Sequence, residues 1–353
     1  MEDTQMTDET PNLALETPIS DVFVPASIHR NELLSGESYT HYSPVPPSLL
    51  PSGSQTIGEP CCLGVDEAGR GPVLGDMVYG VFYLPLPLSD PLLKTTHHFD
   101  DSKVLTPAVR SDLMQALCTA DTDLHSSCGW ATYSLSARDI GANMLKPTTM
   151  YNLNAQAMDA TISLIRGVFA LGVNVKEIYV DTIGQPAAYQ KKLERVFPTT
   201  KITVAKKADS LYPCVSAASV CAKVTRDAAL EVLYEARAAA DGPEEEGGEG
   251  ETERKKKDEG MAWGSGYPSD GRCTSWLRTN MHPVFGWGPE CRFSWGTAKD
   301  MLEGKGGVKV EWPLDDEEGT SRVTDFFVDS GTKEKDADEL GTWFGTPAGL
   351  EAF

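Results

Sequence analysis

The sequence has no pair of cysteines spaced C-x-x-C, although eight occur at positions 61, 62, 118, 128, 214, 221, 273 and 291, and its six histidines are scattered. Neither arrangement gives zinc-ligand spacing, so no structural zinc is expected. Long apolar runs are equally scarce. The longest nearly apolar stretch, residues 77–88, is too short to span a bilayer and contains Pro85 and Pro87, so no transmembrane helix is expected. Residues 1–20 lack the basic and apolar regions of a secretory signal, which points to a cytosolic or nuclear chain with reduced thiols.

Positive charge is short overall: 31 Lys and Arg stand against 52 Asp and Glu, a net charge of −21. The deficit is local. Residues 1–60 carry nine acids and one base, residues 241–260 nine acids and four bases, and residues 303–353 thirteen acids and five bases. The remaining 222 residues balance 21 acids with 21 bases, so a site among them works in a different field from the acidic segments. Residues 1–60, rich in Pro, Ser, Thr and acids, read as a disordered acidic N-terminal tail with too little apolar surface to offset the entropy of ordering. Residues 241–260 read as a solvated low-complexity insert, and residues 304–353 as an acidic, disordered C-terminal tail. Arg254, Lys255, Lys256 and Lys257 form a basic run, either a nuclear import signal or a solvated charge cluster.

The core pattern is mixed α/β. Short β-rich runs fall at residues 62–66, 73–83, 130–135, 177–181 and 201–205, which makes five strands. Helical periodicity covers residues 152–171, a Pro-initiated helix covers 186–197, and a longer one covers 215–240, starting with the small residues Ser216, Ala217, Ala218 and Ser219. Carboxylates gather at strand ends: Asp66 and Glu67 after the first, Asp181 at the fourth, Asp209 after the fifth. Ligands bind at the carboxyl ends of strands in such sheets, and several acids converging there repel one another unless cations are present. Oxygen-only ligands favour Mg²⁺ or Mn²⁺, and a pair of such ions suits phosphodiester hydrolysis. Each acid alone is equally a turn former or a helix cap. Adjacent strand residues face opposite ways, so Asp66 and Glu67 share a site only if the strand bends, as Ala68-Gly69 permits. The turn Gly69-Arg70-Gly71 either supplies positive φ or lets a sugar or phosphate approach the backbone.

Five blocks occur in order: Gly64-Val-Asp-Glu-Ala-Gly-Arg-Gly-Pro-Val-Leu-Gly75, Asp101-Ser-Lys103, Tyr179-Val-Asp181, Lys207-Ala-Asp-Ser-Leu-Tyr-Pro213 with Ser216-Ala-Ala-Ser-Val-Cys-Ala-Lys223, and Gly264-Ser-Gly-Tyr-Pro-Ser-Asp270. With them, residues 61–303 resemble a type 2 ribonuclease H. Tyr151-Asn-Leu-Asn154, Val284-Phe-Gly286 and Arg292-Phe-Ser-Trp295 are similar to the eukaryotic catalytic (A) subunit branch. The resemblance implies a ribonuclease H-like α/β fold, with a five-stranded mixed sheet flanked by helices and a C-terminal helical extension. It implies that Asp66, Glu67, Asp181 and Asp209 bind two Mg²⁺ (Mn²⁺ as the alternative), with Asp66 bridging. It assigns Gly69, Arg70 and Gly71 to the ribonucleotide 2′-hydroxyl and adjoining phosphate, and Tyr267 to the deoxyribose that follows. Lys103 matches a phosphate contact, and Lys223 and Arg226 either hold backbone phosphates or form a solvated helix face.

The implied activity is hydrolysis of the RNA strand of RNA/DNA hybrids, and cleavage 5′ of single ribonucleotides in duplex DNA, leaving 3′-hydroxyl and 5′-phosphate ends. A catalytically idle scaffold and a junction resolvase are the competing readings. The intact carboxylate set argues against the first, and the Gly-Arg-Gly and tyrosine pair against the second. The implied setting is the nucleus, with roles in ribonucleotide removal and RNA primer removal during replication. Two accessory subunits are implied, docking around residues 284–303. Val323-Thr-Asp-Phe-Phe327 loosely resembles a sliding-clamp peptide, with Thr320 where glutamine is usual, and such short aromatic strings also recur by chance.

Overall fold

Eight consecutive residues, Cys61–Ala68, form the strand (β2) from which the sheet is built. The other strands are β1 (Tyr39–Tyr42), β3 (Met77–Pro85), β4 (Gly129–Leu135), β5 (Val175–Asp181) and β6 (Lys201–Ala205). Their order is β1-β4-β3-β2-β5-β6. The β2–β3, β3–β4 and β1–β4 pairs are antiparallel, and the β2–β5 and β5–β6 pairs parallel. The computed structural model describes residues 23–51, 57–99, 105–146, 151–182, 184–240 and 261–304, all within one unit spanning residues 1–308. Lys103, the 241–260 insert with its basic run, and residues 305–353 with the string at 323–327 lie outside the described residues.

The helices are α1 (Arg30–Ser35), α2 (Pro107–Cys118), α3 (Asp123–Ser127), α4 (Ala137–Met144), α5 (Leu153–Ala170), α6 (Pro186–Val196), α7 (Pro213–Ala240), α8 (Gly271–Thr279) and α9 (Gly296–Glu303). Helix α7 covers one face of the sheet. Its small side chains let it approach so closely that a Cβ at Gly64 would overlap the Cys214 carbonyl, and one at Gly80 the Ala218 oxygen. A larger residue at either position would push the helix off the strands. On the other face, Leu164, Ile165 and Val168 of α5 and Leu193 of α6 bury against Leu63, Val65, Val81, Ile178 and Val180. Full burial of each such side chain contributes about 1.5–3 kcal/mol. Beyond the sheet, Leu230 and Leu233 of α7 pack with Trp263, Leu277, Trp287 and Ala298, which seats the C-terminal helices α8 and α9. Among the described residues no helix is long and apolar enough to cross a membrane.

Two expectations need correction. Residues 23–51, expected within a disordered tail, fold onto the domain, and β1 makes the sheet six-stranded rather than five-stranded. Their partners are distant in sequence. Tyr39 pairs with Ser134, the His41 ring lies 5.0 Å from Trp130, and the buried Ser27 and Thr225 hydroxyls meet at 2.8 Å. The strand expected over 73–83 begins instead at Met77. Val73 and Leu74 belong to the preceding turn, where Leu74 bridges Cys291.

Candidate active site

Parallel pairing places the first acids side by side. Val65 is in register with Val180, so Asp66 and Asp181, the next residues on β2 and β5, follow on adjacent strands. β2 stays extended through Ala68, so the bend expected between Asp66 and Glu67 comes only at Gly69, where φ is +78°. The two acids therefore keep the strand's alternation and start on opposite faces, yet the charges of Glu67 and Asp181 both act on the Asp66 carboxyl, so the acids meet at the strand's end without the bend that sharing a site was expected to need. Asp66 is buried on the α7 side, within hydrogen-bonding reach of Ser219, whereas Glu67 lies with Tyr79 and Tyr189 on the α5–α6 side. The fourth acid arrives through a strained turn. Lys207 adopts φ +56°, which brings the Ala208 amide to Asp181 Oδ1 at 2.7 Å and carries Asp209, 5% exposed, on the same short turn.

Burial pushes the Asp66 carboxyl well above the usual carboxylate range, and the charges of Glu67 and Asp181 push it further. Glu67 is pushed up to about 7 by burial, with Asp181 adding to the rise and Arg70 opposing it. These acids are thus poorly compensated by the protein's own cations, which fits a site for hard divalent ions with oxygen ligands. Among the described residues no three such side chains are drawn together into a closed coordination set. Lys223 faces this site from α7: Asp66, Asp227 and Asp209 act to raise its pKa, but burial and Arg110 lower it overall. Its side chain is half-buried against these groups.

Beside the acids, the Gly69-Arg70-Gly71 turn is held from below by a segment more than 220 residues away. Arg292, fully buried, donates from Nη2 to the Gly69 carbonyl at 2.7 Å, from Nη1 to that of Arg70 at 3.2 Å and from Nε to that of Gly75 at 3.0 Å. Its guanidinium lies over the Trp295 ring at 4.9 Å, and the Trp295 indole N–H donates to the Gly71 carbonyl at 3.0 Å. Carbonyls at positions 69, 70 and 71 are thereby turned inward. Asp76 is buried near Arg292 and Arg226, and burial pushes its carboxyl up to about 7 against the pull of both. Sequence reading assigned no role to Arg292, Trp295 or Asp76. The signal for Arg292 and Trp295 was the Arg292-Phe-Ser-Trp295 block, which names no contact, and Asp76 had none.

Tyr267 stands at the seam between two turns. Gly266, at φ +76°, accepts from the Val73 amide at 2.9 Å, and a Cβ on Gly71 would lie 3.1 Å from the Tyr267 ring. The ring is half-buried beside the Gly-Arg-Gly turn. Arg226 does not form the solvated helix face of one reading. Only 8% exposed, it donates to the Ser265 carbonyl at 2.5 Å and to Asp227 at 2.9 Å, and its Cζ is 5.9 Å from the Tyr267 ring centre. It braces the tyrosine turn rather than facing solvent. Arg70 reaches the other way and donates to Asn154 of the Tyr151-Asn-Leu-Asn154 block.

A family profile described as Ribonuclease HII matches residues 63–250. The ribonuclease H2 A-subunit of Neurospora crassa is 64% identical, over 94% of this chain and 97% of its own length, and that of Homo sapiens is 41% identical over 78% and 84%. The crystal structure of the ribonuclease H2 from Pyrococcus horikoshii OT3 is 27% identical, covering 69% of this chain and 97% of its own, with a TM-score of 0.49. The chain belongs to the ribonuclease HII family, in the company of the ribonuclease H2 A-subunits, and is a ribonuclease H.

Proposed function

We propose that the chain hydrolyses the RNA strand of RNA/DNA hybrids and cuts on the 5′ side of a single ribonucleotide in duplex DNA, leaving 3′-hydroxyl and 5′-phosphate ends. The carrying observation is the poorly compensated acid cluster beside a Gly-Arg-Gly turn whose carbonyls are tied down by Arg292 and Trp295. Asp66, Glu67, Asp181 and Asp209 would hold two divalent ions, Mg²⁺ or Mn²⁺. Ions there supply the charge that lets water attack phosphorus at neutral pH and that offsets charge on the departing 3′ oxygen. The Gly69–Gly71 backbone meets the ribose 2′-hydroxyl, and the Tyr267 ring packs on the next sugar, which lacks that hydroxyl. Lys223, facing the acids, and Lys103 contact phosphates of the strand being cut.

Such a substrate goes with a nuclear location and with roles in ribonucleotide excision and primer removal. The relatives are named as one lettered subunit of ribonuclease H2, which supports assembly with accessory subunits, two in this reading. Val284 and Phe285, 61% and 76% exposed, support a docking surface around residues 284–303. A sliding-clamp contact through residues 323–327 is a further, separable part of the reading. Asp181→Asn tests the core of it. The variant should fold, with Mg²⁺-dependent cleavage nearly abolished, and appreciable activity at saturating Mg²⁺ would remove Asp181 from the site.

A further inference from the structure

A cavity of about 530 Å³ opens from the acids on the α5–α6 side. Its walls include Glu67, Arg70, Asn154, Asp181, Gln185 and Lys192. A pocket of that size accommodates a ligand on the scale of one nucleotide (about 300–1,000 Å³). We propose that it holds the sugar-phosphate backbone of the cut strand on the 5′ side of the scissile phosphate, with Lys192 as the cation that meets a phosphate there. This rests on the function proposed above.

The direction follows from placement. In that reading the Gly-Arg-Gly turn holds the ribonucleotide and Tyr267 the sugar on its 3′ side. Tyr267 lies against Gly71 and Arg226, next to α7, and is not a wall of the cavity. The cavity begins at Arg70 and Glu67 and runs along the opposite face of the sheet. A strand leaving the ribonucleotide in the 5′ direction therefore enters it. The chemistry also fits a phosphodiester. Gln185, Ala188, Tyr189 and Lys192 form one stripe of α6, spaced three and four apart, and all four line the cavity. Gln185 makes no side-chain cap, so the first turn of α6 brings uncapped backbone amides to the same wall. Lys192 is exposed and forms no ion pair among the described residues. Of the acids on the wall, Glu67 and Asp181 belong to the ion site, and Asp159 is held by the Tyr151 hydroxyl at 2.6 Å.

The test pairs the full-length enzyme, together with its accompanying subunits where it has them, and Lys192→Ala against three duplexes. One carries a single ribonucleotide, a second adds a neutral methylphosphonate at the phosphate immediately 5′ of the scissile one, and a third carries it two phosphates to the 3′ side. Binding is measured across salt concentrations, beside cleavage and a thermal melt. Lys192→Ala should melt like wild type and lower the slope of log affinity against log salt by about one. The 5′ methylphosphonate should do the same to wild type and add nothing to Lys192→Ala, whereas the 3′ analogue should act additively. An unchanged slope, additivity with the 5′ analogue, or coupling to the 3′ analogue overturns the inference while normal cleavage leaves the proposed function standing. A wild-type enzyme that leaves the ribonucleotide duplex uncut overturns both.

Discussion

Arg292 shows how one side chain can set the shape of the turn at residues 69–71. Its three donors each meet a carbonyl of residues 69, 70 or 75, and a lysine, with a single ammonium and no planar fork, cannot reproduce that pattern. Arg292→Lys should lower single-turnover cleavage by about a hundredfold, the scale of a small misplacement of a reacting group. Trp295→Phe keeps a ring under the guanidinium and loses only the bond to Gly71, so it should cost about 1 kcal/mol, read from the same assay and a melt. Equal effects of the two variants would contradict this division. Glu67 makes the opposite kind of contribution. Its pKa rises from 4.5 to about 7 in the folded chain, so the folded state loses stability relative to the unfolded one as pH rises through that window. Without divalent ions, Glu67→Gln should melt close to wild type near pH 4.5 and above it near pH 8, and parallel curves would contradict the assignment. The acids themselves were legible in the sequence because strand ends are short-range features. Arg292 was not, because its carbonyl partners lie more than 200 residues away and a backbone acceptor leaves no mark on side-chain identity.

The elements divide along the same line. α5 and α7 were readable as helical stretches and α6 from the proline that starts it, whereas the Asn152 cap of α5, which accepts from the Ala155 amide at 3.0 Å, was not singled out. β1 was not, since its four residues sit in a Pro- and Ser-rich region and gain their strand partner from β4, far along the chain. That dependence predicts acid sensitivity. Burial, with His29 adding to it, lowers the His41 pKa from 6.5 to about 4, so the neutral ring is the folded form. Stability from this contact is present above pH 6.5 and is lost as pH falls towards about 4. His41→Phe should therefore lose less Tm than wild type between pH 7 and pH 4.5, and equal losses would show that His41 does not report on the strand. The strand end at Gly69 shows why the bend was misplaced: composition placed glycine correctly, but the register with β3 holds β2 extended through Ala68.

At the scale of the molecule, the acids lie in a part of the chain whose charges balance, while the net charge of −21 resides in residues 1–60, 241–260 and 303–353. A polyanionic substrate thus approaches a neutral domain with local cations, Arg70, Lys192 and Lys223, around the site. The two faces of the sheet divide the work in this account, with Asp66 and Lys223 towards α7, and Glu67, Arg70 and the cavity towards α5 and α6. The ribonucleotide must sit where the faces meet, at the carboxyl end of β2. The most direct test is the product of cutting a DNA duplex that contains one ribonucleotide, resolved at single-nucleotide length with wild type and Tyr267→Ala at equal thermal stability. The account predicts one Mg²⁺-dependent cut on the 5′ side of the ribonucleotide, with a 3′-hydroxyl and a 5′-phosphate, and a loss in Tyr267→Ala much larger than on a continuous RNA/DNA hybrid. A cut on the 3′ side, or equal losses on both substrates, would contradict it.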